Sequence, residues 1–151
     1  MLGQSDFKSI DVGIFIIANV VNLLLIGIFV SRAKRMVNVE FVLGIAVVAM
    51  ALPLIGAAIV NILSRREWWT IVLLLPMILY CILELVLDYV LKMEFRSTSL
   101  LWPYLTLFYL GLIGMVGYSF SVGNAYGFAT LVTYFLNLFA AWYSHSKVGH
   151  G

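Results

Sequence analysis

Charge is scarce in this sequence. Only 11% of its 151 residues are charged, 64% are hydrophobic, and the mean hydropathy is +1.08. A soluble core of this size cannot enclose so much apolar surface, which excludes an ordinary soluble domain. Histidine is missing from every apolar stretch, because His145 and His150 both follow the last of them. The lone cysteine, Cys81, has no partner for an intramolecular disulfide, and no Cys/His cluster is present to hold a transition metal. The chain also lacks CxxC, HExxH and GxSxG motifs, a phosphate-binding loop and a dinucleotide-binding glycine pattern. These gaps argue against metalloenzymes, serine hydrolases and nucleotide-dependent enzymes. The tail "YSHSKVGH" reads as a solvated terminus.

What is present is a succession of apolar runs. A hydrocarbon layer of roughly 30 Å requires about 20 apolar residues per helical crossing. Five runs meet that need, at residues 12–30, 41–63, 69–90, 100–120 and 125–143. The last two are separated at "SVGNAYG", where Gly and Asn signal a turn. The expected fold is therefore an all-α integral membrane protein, a compact bundle of five transmembrane helices with short connections. Residues 1–151 are expected to form one domain. The first run lacks a cleavage-site pattern and carries its charge after the apolar segment, so it is expected to remain in the mature protein.

Basic residues set the expected orientation. Lys8, Arg65 and Arg66 fall on one side of the membrane, while Arg32, Lys34, Arg35, Lys92, Arg96 and Lys147 fall on the other. Six against three predicts an external N-terminus and a cytoplasmic C-terminus. The net charge of +2 suits such a topology and requires no nucleic-acid partner. Trp68, Trp69, Trp102, Trp142 and Tyr143 stand at the ends of runs, where amphipathic rings favour the interface.

Small residues at Gly44, Ala51, Gly56, Ala57 and Ala58 in the second run, and at Gly111, Gly114 and Gly117 in the fourth, predict close helix packing. Pro53 and Pro76 predict kinks, since each leaves the carbonyl four residues earlier without its helical donor. Pro103 falls in the first turn of the fourth run, where the missing N–H is harmless.

Acids within the third run require an explanation. Pro76, Tyr80, Glu84, Asp88 and Lys92 recur every fourth residue and so share a stripe. Asp88 falls near the boundary and is expected to pair with Lys92 at i+4. Glu84 falls about 9 Å inside the predicted cytoplasmic end by helical rise, where a charged carboxylate costs at least about 2.5 kcal/mol. It must therefore be protonated, paired or open to water.

Other polar groups fall at comparable depths: Asn19 and Asn22 in the first run, Tyr104, Thr106 and Tyr109 in the fourth, and Tyr126, Thr130, Thr133, Tyr134 and Asn137 in the fifth. They predict a polar pocket among runs one, three, four and five, centred on Glu84. The plainer alternative is a set of interhelical hydrogen bonds that fix register.

Three functions compete. A binding or transport protein would use Glu84, with Asn22, Tyr104 and Asn137, to receive a cation, a proton or a lipophilic ligand. A homo-oligomer is expected if it is a carrier, because five helices contain no even inverted repeat. An accessory or assembly subunit would turn the polar stripe toward partners in a larger membrane complex. A membrane enzyme acting on a lipid or isoprenoid would use Glu84 or Asp88 as general acid or base. No cofactor is identified by the sequence.

Overall fold

Arg35, Arg65 and Lys92 take left-handed backbone, with φ of 59°, 50° and 49°, and each closes the end of a membrane crossing. These corners belong to a computed structural model that describes the backbone of residues 4–149 and the side chains of residues 7–149; His150 lies outside the described residues. At the first two corners the amide of the following residue reaches back over the turn, Met36 to the Ser31 carbonyl at 2.8 Å and Arg66 to the Asn61 carbonyl at 3.0 Å. Such bonds satisfy carbonyls that a helix end leaves open.

The first crossing is α1 (Gln4–Ala33). The second is divided into α2 (Val37–Ala49) and α3 (Ala51–Leu63). The third comprises α4 (Trp69–Val72), α5 (Leu75–Glu84) and a π-helical turn over Leu85–Val90. After a short 3-10 turn at Phe95–Ser97 come α6 (Leu101–Val122) and α7 (Asn124–Val148), which are the fourth and fifth crossings. The described chain is an all-α bundle with five helices long and apolar enough to span a membrane.

The helix is interrupted at both places where a kink is expected. Pro53 cannot donate to the Ala49 carbonyl, and the helix breaks at Met50, whose amide bonds Val47 instead, at 3.0 Å. Pro76 sits in the first turn of α5, and the break before it occurs at Leu73 and Leu74. The fourth and fifth crossings separate as expected, with Gly123 alone between α6 and α7. Several helices run beyond their apolar segments: α1 begins before residue 12 and α7 extends past residue 143. Their polar turns keep internal hydrogen bonds whether they meet lipid or water.

Helix α1 packs against α2, α6 and α7, while α6 lies between α5 and α7. Gly111 and Gly114 let α6 approach the third crossing closely, at α5 and at the break before it. A methyl at Gly111 would come within 2.9 Å of the Met77 Cα, and one at Gly114 would strike the Leu73 carbonyl oxygen. The expected use of small residues holds for Gly44, Ala51 and Ala58, which are buried, but Gly56 is exposed with open space beside it.

Candidate functional site

The polar residues form three groups at different levels of the bundle. The first is built around Glu84, the last α-helical residue before the π turn. A π turn inserts an extra residue per turn and re-aims the side chains beyond it, and such turns recur at functional sites. Glu84 is half-buried, and its Oε2 is fully buried without a hydrogen-bond partner among the described residues. Tyr104, Asp88 and Arg96 are close enough to act on it electrostatically. The Tyr80 and Tyr104 hydroxyls stand 3.3 Å apart in a buried pocket of rings, with Phe95 against Tyr104 and Phe108 against Tyr80.

The expected Asp88–Lys92 pair does not form. Asp88 instead accepts from Arg96, at 2.7 Å to Nη2 and 3.4 Å to Nη1. An i, i+4 pair needs continuous α-helix, whereas here the π turn intervenes and Lys92 is an exposed residue in left-handed backbone. Burial acts to lower the Arg96 pKa, but the bond to Asp88 and the charges of Asp88, Tyr104 and Glu84 together overcome it and the net shift is upward, so Arg96 remains charged. Its charge and that of Asp88 cancel, which leaves Oε2 of Glu84 as a buried carboxyl oxygen without a hydrogen-bond partner among the described residues.

The second group is a hydrogen-bonded seam joining α1, α6 and α7. Asn19 donates to Thr130 at 3.0 Å and accepts from Thr133 at 2.8 Å. Asn22 donates to Thr133 at 3.1 Å and accepts from Asn137 at 3.3 Å, while Thr130 donates to Ser119 at 2.9 Å. The increasing residue numbers on both sides show that α1 and α7 run parallel. Asn137 Oδ1 is buried without a partner among the described residues.

The expected single pocket is thus divided. Glu84, Asp88, Tyr80 and Tyr104 come together, whereas Asn19, Asn22 and Asn137 bond one another, and no hydrogen bond among the described residues links the two sets. Tyr109 is exposed and stacks edgewise on Phe108. Tyr134 is half-buried and meets the ring of Phe135. Thr106 is exposed and bonds the Trp102 carbonyl of its own helix.

The third group was not legible as a site in the sequence. Arg66 donates to both Asp11 oxygens at 2.7 and 2.9 Å and to Asn61 at 3.1 Å, while the Tyr118 hydroxyl donates to Asp11 at 2.7 Å. The Asp11 bond raises the Arg66 pKa against the opposing effect of burial. No helical spacing connects positions 11, 61, 66 and 118. Only the placement of an acid at the start of one apolar run and a base after another hinted at a pair.

Compared with protein-family models, with curated proteins and with solved structures, the chain matches none. Fold and composition define its class without them: a multi-pass membrane protein built as an α-helical bundle.

Proposed function

We propose that this is a small membrane binding or transport protein whose working group is Glu84, which takes up a proton or the hydrogen-bond-donating head of a lipophilic ligand. The supporting observation is the buried, unpartnered Glu84 Oε2 beside an Asp88–Arg96 pair that is already neutral. A carboxyl with a buried, unsatisfied oxygen is expensive within an apolar layer and is retained where it serves a pathway or a ligand. A divalent cation fits less well, because one carboxyl supplies few of the six to eight oxygens that calcium requires.

The orientation that fits the basic residues places the N-terminus outside and Glu84 toward the cytoplasmic end. If the protein acts as a carrier, two or more copies would be needed, since five crossings do not divide into two equal inverted halves.

The test is Glu84→Gln, which preserves shape and hydrogen bonding but removes titration. Infrared titration of the purified protein should show a carboxyl band that this variant lacks. Proteoliposomes carrying a pH-sensitive dye should lose proton flux, or mass spectrometry should show loss of a co-purified lipophilic molecule. Unchanged flux, unchanged co-purified material and an unchanged carboxyl band would overturn the reading. Isolation of the wild type only within a larger assembly, together with those unchanged results, would favour an accessory subunit.

A further inference from the structure

At the opposite end of the bundle from Glu84, an open cleft of about 640 Å³ lies between the first turns of α1, the α3–α4 corner and the α6–α7 joint. That volume lies in the range that holds small organic ligands. Its charges are unequally committed. Asp11 spends both oxygens on Arg66 and also accepts from Tyr118. A guanidinium has five N–H donors; Asp11 and Asn61 use three of those on Arg66, leaving two. Lys8, one turn before Asp11 on the same helical face, is exposed and has no ion-pair partner among the described residues. Asp11 cancels one of the two cationic charges among these lining residues, and the Lys8 charge remains.

The rest of the cleft suits the boundary between water and lipid. Phe7 lies under the Arg66 guanidinium, with its ring centre 5.1 Å from Cζ, and Val122 adds an apolar wall. Tyr126 packs its ring on Phe15, and its hydroxyl has no partner among the described residues. Ammonium, spare guanidinium N–H and phenol thus offer separated donors over an apolar floor. That set matches a tetrahedral oxyanion with several acceptor oxygens better than a flat carboxylate.

We propose that this cleft binds an anionic phosphate group, carried by a lipid headgroup or free in water, with Lys8 and the spare Arg66 donors as its principal ligands. The site is independent of Glu84.

The experiment uses the full-length protein in mild detergent, titrated with short-chain phosphatidylglycerol, short-chain phosphatidylcholine or inorganic phosphate, with binding read by native mass spectrometry. Phosphatidylglycerol should bind about fivefold more tightly than phosphatidylcholine, whose choline the surplus charge repels. Lys8→Gln should remove that preference, and Tyr126→Phe should weaken phosphatidylglycerol binding. Lys34→Gln, at an exposed corner on the other membrane face, should leave both unchanged.

Lys8-dependent competition by inorganic phosphate identifies free phosphate as a ligand, while binding of phosphatidylglycerol without such competition identifies the lipid. Equal affinity for the two lipids, a preference that survives Lys8→Gln, or one that Lys34→Gln removes equally, overturns the proposal. Arg66 is left unaltered because its loss would also strand Asp11.

Discussion

Asp11 and Asp88 each hold an arginine at 2.7 Å, but the surroundings differ. The Asp11–Arg66 side chains are 21% and 15% exposed, whereas Arg96 in the other pair is 36% exposed. Asp11 also receives the Tyr118 hydroxyl. Asp11→Asn should therefore destabilise the protein by about 2 kcal/mol, within the range for hydrogen bonds to charged groups. Asp88→Asn should cost only about 0.5–1 kcal/mol, because solvent screens the exposed partner. Thermal unfolding of both variants in one detergent checks the order. Glu84→Gln should leave stability within about 1 kcal/mol of wild type or raise it, since glutamine keeps the shape and cannot ionise within an apolar layer. A large loss of stability in that variant would mark Glu84 as a structural group.

At the level of elements, the contact of α6 with the third crossing depends on the absence of a side chain. Gly114→Leu places four carbons where the Leu73 carbonyl already stands, a backbone atom rather than the movable end of a side chain. Gly123→Leu meets only the edge of the Tyr126 ring, 3.3 Å from its Cβ position, and that side chain can move. The first variant should fail to fold or unfold at a much lower temperature, while the second remains near wild type; size-exclusion chromatography and a thermal melt distinguish them. The corners make a second expectation. Arg65 is exposed and holds left-handed backbone, so Arg65→Gly should stabilise by about 0.5–1 kcal/mol through relief of Cβ crowding. Arg65→Ala, which retains that crowding, should not, and parallel melts of the two variants separate the backbone effect from the lost charge.

Across the whole molecule, five crossings put Glu67 and Lys147 on opposite faces of the membrane. In a Cys81→Ser background, Glu67→Cys should react with an impermeant thiol reagent added outside intact cells, and Lys147→Cys should react only after lysis. The reverse pattern would invert the proposed orientation. Labelling of both positions from outside would contradict an odd number of crossings. Cys81 is buried in the core, so its replacement serves only to remove background reaction.

The five long apolar helices, their order, the interruptions near Pro53 and Pro76 and a division within residues 121–127 were all legible in the sequence. Each follows from local chemistry: apolar length against bilayer thickness, a missing N–H, and a turn-forming segment. Glu84 stood out for the same reason, as an acid in an apolar run. The partners of these residues were not legible. Asp88 turned from Lys92 to Arg96 because a π turn ended the α-helical register on which an i, i+4 pair depends. Asn22 and Asn137 left Glu84 for each other because α1 and α7 pack side by side, while α5 packs against α6. Asp11 found Arg66 across 55 residues. Helical periodicity determines which residues share a face, but only the packing of one helix on another decides what that face meets.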